Sequence, residues 1–88
     1  VTHIGREAFD SCTSLIEINI PDSVTSIGCY AISNCSNLKK ITINNPKCIL
    51  IDDGFPSIHI SNTTVYGYKD STAQACAEGQ DCTFIPLD

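Results

Sequence analysis

The sequence predicts a β-rich solenoid, in which short coils of the chain stack on one another, and three observations support this fold. A unit that begins at Val1 is repeated from Val24, and nine of its first 22 positions carry the same residue in both copies. Such a period is typical of units that stack because none can bury its apolar face alone. The period then breaks down towards the C-terminus, as expected of an end unit. The repeated residues are Val1, Thr2, Ile4, Gly5, Ala8, Cys12, Leu15, Ile18 and Ile20.

Size and charge exclude several classes of function. The 88 residues make one small domain with a modest core. The formal charge is −5, and no basic cluster is larger than the pair Lys39-Lys40, so we expect neither nucleic-acid binding nor a polybasic membrane anchor. The longest apolar run is 48–51, far short of the ~20 residues that span a bilayer, which predicts no membrane insertion.

Residues 1–23 and 24–46 form the two complete repeats, and each ends in a predicted strand. The alternation Ile18-x-Ile20, repeated as Ile41-x-Ile43, is typical of a half-buried strand. The start of each repeat predicts a second, short extended segment on the opposite side. Gly5 and its equivalent in the second repeat allow a tight bend into segments 6–12 and 29–35, for which we expect a single helical turn.

Residues 47–60 are interpreted as a degenerate third repeat. Cys48-x-Leu50 still alternates, but 52–56 (Asp-Asp-Gly-Phe-Pro) is a turn cluster. Ile58-x-Ile60 predicts a further short extended segment.

Residues 61–88 are predicted to form a C-terminal strand–helix–strand cap. A strand is expected at 64–66, a helix over 70–79 and a last strand at 83–85, stopped by Pro86. Ser71 and Gln74 have the spacing of a capping box, and Gly79 stands where a left-handed C-cap is expected.

The repeat motif resembles a known family. Val-Thr-x-Ile-Gly-x-x-Ala-Phe-x-x-Cys-x-x-Leu-x-x-Ile-x-Ile-Pro-x-Ser is similar to the BspA-type leucine-rich repeat of bacterial surface and secreted proteins. The resemblance implies a leucine-rich repeat solenoid of the α/β horseshoe class, β-rich, with its main sheet on the concave side. It also implies an extracellular or cell-surface location, a role in adhesion or protein binding, and no catalytic residues. Cys76 and Cys82 depart from the family pattern, which has Tyr and an aliphatic residue there.

Four of the six cysteines are expected to be free. Cys12 and Cys35 are one period apart, so they should stack in an inward column, where a thiol packs as a small apolar group. Cys48 resembles a tail cysteine of the family and is expected to be buried. Cys29 lies at a variable, exposed position of the repeat, and the sequence offers it no obvious disulfide partner.

The last two cysteines leave two alternatives open. Cys76 lies on the predicted helix and Cys82 follows the turn after it, so either a Cys76–Cys82 disulfide forms or both thiols stay free. The chain has no Cys-x-x-Cys pair, and no metal site is expected. His3, His59 and Asp52-Asp53 fit exposed loops better than a catalytic or calcium site. We therefore expect no enzyme activity and no cofactor.

The outward face of the predicted strands is the one candidate ligand-binding surface that strand geometry supports. Alternation directs Glu17 and Asn19 outward from the first strand, and Lys40 and Thr42 outward from the second. Glu17 should neighbour Lys40, and Asn19 should neighbour Thr42. These four side chains are either a polar ladder that contacts a ligand or a cross-strand ion pair that keeps an exposed sheet soluble.

The sequence favours a non-catalytic protein-interaction or adhesion module, formed by the terminal repeats and cap of a larger secreted or surface protein. The alternative is a carbohydrate-binding or enzyme-associated module of a secreted polysaccharide-degrading system. The absence of Trp and the scattered Tyr30, Tyr66 and Tyr68 weigh against sugar binding. Because Val1 begins within a repeat, we expect upstream repeats, a protein partner met mainly through them, and self-association through the uncovered N-terminal edge.

Overall fold

The alternating segments form short strands that wind into a solenoid. In the computed structural model, residues 2–52, 55–60, 62–80 and 82–88 are described. The described elements, in chain order, are β1 (His3–Ile4), β2 (Glu17–Ile20), β3 (Ser26–Ile27), β4 (Ile32–Ser33), β5 (Lys40–Ile43), β6 (Ile51–Asp52), β7 (Phe55–Pro56), β8 (Ile58–His59), β9 (Thr64–Gly67), α1 (Thr72–Glu78) and β10 (Thr83–Pro86).

The main sheet has four parallel strands in the order β10-β9-β5-β2. Ile18 pairs with Ile41, which in turn pairs with Val65, so the inward apolar residues of successive coils stack in one column. The predicted alignment of the two repeats is therefore confirmed. The strands β9 and β10 of segment 61–88 extend the same sheet, so the sheet passes the predicted boundary at residue 60 without a break.

The opposite side of the solenoid carries shorter ladders. The strands β1 and β3 pair in parallel, which confirms the short extended segment at the start of each repeat. The strands β4 and β8 also pair in parallel; β8 confirms the extended segment expected at 58–60, whereas β4 lies in segment 29–35, where a helical turn was expected. In the third coil β6 and β7 pair antiparallel. Of the turn cluster predicted between them, Asp53 and Gly54 lie outside the described residues.

The core consists mainly of inward aliphatic side chains of residues 24–58, joined by Ile20 of β2, Val65 of β9 and Ala73 and Ala77 of helix α1. Ile27, Ile32, Ile41 and Ile58 are at most 1% exposed. Every buried side-chain nitrogen or oxygen in the described part of the chain has a hydrogen-bond partner. Ser57 is an example, because its buried hydroxyl donates to the Ile27 carbonyl at 2.5 Å.

The prediction of a helical turn after each glycine was wrong. Residues 6–12 form successive turns, in which Glu7 and Ser11 adopt left-handed backbone angles (φ 58° and 59°). Their equivalents Tyr30 and Asn34 do the same (φ 52° and 54°). A helix would satisfy its amides within the segment, whereas these amides bond to the next coil. Glu7 N donates to the Cys29 carbonyl (3.1 Å), Phe9 N to Ala31 (2.7 Å) and Ser11 N to Ser33 (2.9 Å).

Helix α1 covers the end of the main sheet by packing against β9 and β10. Half of the predicted capping box is present at its N-terminus, where Ser71 Oγ accepts from Gln74 N (3.2 Å). The other half differs, because Gln74 Oε1 accepts from Asp70 N (2.7 Å) and not from Ser71 N, which donates to the Tyr68 carbonyl. The left-handed C-cap was wrong, because Gly79 has φ −82°. Its N–H still bonds to the Ala75 carbonyl, at 3.1 Å, so the helix ends without a reversal of the backbone.

Candidate interaction surface

The outward side chains of the main sheet form a strip across four strands, which we call the sheet strip. The predicted neighbours are confirmed, because Glu17 pairs with Lys40 and Asn19 with Thr42. The strip also extends further than predicted, since Thr42 pairs with Tyr66 on β9. The complete set is Glu17, Asn19, Lys40, Thr42, Thr64, Tyr66, Thr83 and Ile85.

An amide cluster lies at one end of the sheet strip. Asn44 Nδ2 donates to Asn19 Oδ1 (2.7 Å) and to the Ile20 carbonyl (2.8 Å). This cluster borders a shallow depression of about 240 Å³, which Glu17 and Lys40 also line. The depression therefore offers a carboxylate, an ammonium and amides within one small area.

The Lys40 ammonium contacts an aromatic ring. Its Nζ lies 4.8 Å from the centroid of the Tyr66 ring, which is a cation–π geometry worth about 0.5–1 kcal/mol at an exposed site. Among the described residues, Glu17 makes no ion pair with Lys40. Strand pairing thus places the two charged residues side by side, but the Lys40 side chain turns away from Glu17 towards Tyr66 on β9.

Sequence reasoning missed Tyr66 as a member of the strip. The step from Thr42 to Tyr66 is one position longer than the repeat period, and the segment 64–66 belongs to the predicted C-terminal cap. The signal that could have placed it is the alternation in Thr64-Val65-Tyr66, where one apolar residue between two outward ones repeats the pattern of Lys40-Ile41-Thr42.

A larger groove of about 1270 Å³ lies beside helix α1. Ile49 and Ile51 contribute apolar surface and are 57% and 66% exposed. Lys39 and Gln80 add polar groups, and so does His59, whose ring meets the Tyr30 ring edge-on at 6.0 Å.

The stacked thiols of the repeats are free, as expected. Cys35 is buried and donates to the Phe9 carbonyl (3.1 Å), whereas Cys12, in the first coil, is only half-buried. Burial raises the pKa of Cys35. Cys48 is completely buried, and desolvation raises its pKa as well. These groups pack as small apolar side chains and are poor nucleophiles.

The thiols of Cys76 and Cys82 are both in the reduced form and lie next to each other. Burial raises the pKa of Cys76 to about 11, and the adjacent Cys82 contributes in the same direction. Gln80 lies between them: its Nε2 donates to Cys76 Sγ (3.4 Å) and to the Ile58 carbonyl, and its Oε1 accepts from Ile60 N (2.9 Å). The Cys76–Cys82 disulfide stays a prediction.

The two histidines lie apart. His3 Nδ1 is 2.5 Å from Ser26 Oγ at an exposed position on β1, and His59 contacts Tyr30. Within ranges 2–52, 55–60, 62–80 and 82–88, no group of three or more His, Cys, Asp or Glu side chains could hold a metal ion.

The comparisons with known proteins agree with this architecture. The family model for the BspA type leucine rich repeat region matches residues 1–79 in six copies. Comparison with curated proteins and with solved structures gave no match. None of the helices described here has the length and apolar character needed to cross a membrane. A leucine-rich repeat solenoid is typically a scaffold for interactions between proteins rather than a catalyst. By repeat motif, stacked parallel strands and family model, the chain belongs to the BspA-type leucine-rich repeat family.

Proposed function

We propose that the chain is a non-catalytic module that binds another protein through the sheet strip, and that it acts outside the cell, as part of a secreted or surface protein. The observation that carries the proposal is Tyr66, which stands on the exposed sheet with the Lys40 ammonium over its ring. Tyrosine is enriched in protein interfaces because its ring supplies apolar contact area and its hydroxyl a hydrogen bond.

The composition of the strip fits an adhesive contact. Charged and amide groups from β2 and β5 surround the depression of about 240 Å³, and Tyr66 and Ile85 from the later strands add apolar surface. An interface with a polar rim and an aromatic anchor has this distribution. The anchor lies on paired strands, so its backbone is already ordered before a partner arrives.

Carbohydrate binding is a weaker proposal for the same surface. A sugar ring usually stacks on an open aromatic face, and the Lys40 ammonium covers one face of Tyr66. The other described tyrosine near the groove, Tyr30, meets His59 edge-on rather than presenting a free ring. We therefore prefer a protein partner.

Peptide selection with variants tests the proposed surface. The immobilised chain is panned against a displayed library of random peptides, and the enriched peptides are measured by titration calorimetry. Tyr66→Ser and Lys40→Ala should each weaken binding about ten-fold or more, as for anchors at the centre of an interface.

Tyr30→Ser is the matched control, because this tyrosine lies in a turn away from the main sheet and its loss should leave binding unchanged. Peptides whose affinity is insensitive to both strip variants, or a selection that enriches none, would argue against the proposal. Affinity electrophoresis on soluble polysaccharides distinguishes the sugar alternative, which predicts retardation that Tyr66→Ser abolishes.

A further inference from the structure

Two cysteines meet where helix α1 ends and β10 begins. Cys76 lies in the last turn of the helix, and Cys82 directly precedes the strand. Between them, Gln80 N donates to the Ala77 carbonyl (3.2 Å) and Cys82 N donates to the Gln80 carbonyl (2.9 Å), so the chain turns back on itself. Both cysteine side chains are half-buried and pack against the same hydrophobic core.

The sulfur atoms of this pair lie against one backbone position. Cys82 Sγ donates to the Ile60 carbonyl at 3.8 Å, and Cys76 Sγ accepts from Gln80 Nε2 at 3.4 Å. The same Gln80 amide accepts from Ile60 N through its oxygen (2.9 Å). Both thiols therefore border Ile60 and its glutamine partner. The contribution of Cys82 to the raised pKa of Cys76 agrees with this geometry, because it requires the two groups to be close.

We propose that Cys76 and Cys82 are an oxidation site, at which a disulfide fastens the end of helix α1 to the start of β10. The oxidant is a small-molecule disulfide such as oxidised glutathione. One protein thiolate attacks it to form a mixed disulfide and releases the first small thiol, and the second protein thiol then displaces the other. Two electrons pass from the protein sulfurs to the oxidant, which leaves as two thiols that carry the protons.

The stacked thiols of the repeats do not offer the same chemistry. Cys12 and Cys35 occupy one position of adjacent coils, whose strands pair in parallel. Parallel side chains keep the spacing of the coils, about 4.8 Å, at their Cβ atoms as well, whereas a disulfide needs about 3.5–4.5 Å. Cys48 is completely buried, so a dissolved oxidant does not reach it.

The disulfide acts on the part of the chain that covers the end of the main sheet. Helix α1 has seven residues, which is too short for a helix to be stable by itself in water, so it depends on its attachments. At its C-terminal end this attachment is the Gln80 side chain, and the disulfide adds a covalent bond across the same turn at the cost of one weak bond of 3.8 Å. Oxidising surroundings outside a cell keep such a bond closed, and this point alone rests on the proposed function.

Peptide mass mapping tests the site. The stretch from Asp70 to Asp88 contains no Lys or Arg, so trypsin releases it as one peptide that carries Cys76 and Cys82 and no other cysteine. After the folded chain is incubated with oxidised glutathione and alkylated without reduction, this peptide should carry no alkyl group. Its mass should be that of the reduced peptide less two hydrogen atoms. Cys29→Ser is the matched control, because it removes a half-buried cysteine of the second coil and should leave this oxidation unchanged.

Thermal unfolding tests the effect on the fold. Closing a loop of seven residues should raise the unfolding midpoint of the oxidised chain by about 10 °C over that of the reduced chain. The difference should disappear in Cys76→Ser and in Cys82→Ser, and it should persist in Cys29→Ser. Because the wild type is compared in its two redox states, the main result does not depend on how well the serine variants fold.

Four outcomes would each overturn the proposal. They are a peptide 70–88 that stays fully alkylated, a mixed disulfide with glutathione that does not resolve, a bond from this peptide to another cysteine, and equal unfolding midpoints in the two redox states. None of them bears on the proposed binding surface, because peptide binding through Tyr66 is measured separately and on the reduced chain.

Discussion

At the scale of single residues, two glycines at one repeat position face different demands. A Cβ built on Gly28 would lie 2.8 Å from Arg6 Cα and 2.8 Å from the carbonyl carbon of Gly5, which are backbone atoms of the preceding coil. A Cβ built on Gly5 would meet nothing within 4 Å. Glycine is therefore required at position 28 by the close approach of the preceding coil, and not by the turn that the residue itself makes.

This contrast predicts that alanine affects stability differently at Gly28 and at Gly5. Gly28→Ala should lower the free energy of unfolding by about 1–3 kcal/mol, because backbone atoms cannot move aside as a flexible side chain would. Gly5→Ala should leave it unchanged or raise it by up to about 1 kcal/mol, since alanine restricts the unfolded chain. Urea unfolding followed by circular dichroism measures both. Equal losses in the two variants would show that the contact between coils is not the cause.

At the scale of elements, helix α1 is attached to the solenoid at its C-terminal end by the side chain of Gln80, which follows it. The Gln80 amide accepts from Ile60 N and donates to the Ile58 carbonyl, so it satisfies the backbone of the β8 segment from the helix end. The N-terminus of the helix is attached separately, by Thr72 N, which donates to the Pro46 carbonyl at 3.1 Å. The helix is thus bonded to the repeats at both of its ends.

Gln80→Glu should therefore destabilise the fold by about 1–2 kcal/mol. The carboxylate can still accept from Ile60 N, but it loses the donor and faces the Ile58 carbonyl oxygen. The same exchange at Gln74 is the control. Gln74 accepts from Asp70 N and donates to the Glu78 carboxylate (3.0 Å), but both bonds are exposed, so the loss of the donor and the repulsion between two carboxylates four residues apart should change stability by less than about 0.5 kcal/mol. Thermal unfolding of the two variants compares them, and equal midpoints would exclude the role given to Gln80.

The elements also show what the sequence could predict. The repeat period predicted the pairing of Ile18 with Ile41, because stacked coils must repeat their inward positions. The N-cap at Ser71 was also predictable, since it depends only on local spacing. The turns at Glu7 were not, because their left-handed backbone is stabilised by carbonyls of the next coil and has no local residue signal. The position of Tyr66 in the sheet strip was missed for a related reason, because its pairing with Thr42 depends on tertiary structure and not on local sequence.

At the scale of the whole molecule, the buried thiols link stability to pH. Burial raises the pKa of Cys35, Cys48 and Cys76, in the last case to about 11. A raised pKa means that the folded chain favours the neutral thiol more than the unfolded chain does. Their contribution to stability is therefore complete below about pH 9, the ordinary value, and is lost as the pH rises through the folded pKa.

The free energy of unfolding should accordingly fall between about pH 9 and about pH 11. For Cys76 alone, the loss should be about 1–2 kcal/mol, after allowance for its partial exposure. Urea titrations at neutral and alkaline pH, in the presence of a reducing agent, measure it. Cys76→Ser, which does not ionise in this range, should lose less stability than the wild type over the same interval. An identical loss in both proteins would mean that other groups control the alkaline response.

The left-handed turns of the first coil have a consequence for synthesis. Glu7 and Ser11 hold an unfavourable backbone conformation, and the acceptors for their amides, Cys29 and Ser33, belong to the coil that is synthesised next. While the chain emerges from the ribosome, these acceptors are still hidden in the exit tunnel after Ser11 has left it. The first coil can therefore fold only after the second has emerged, so the nascent protein folds in steps of at least two coils.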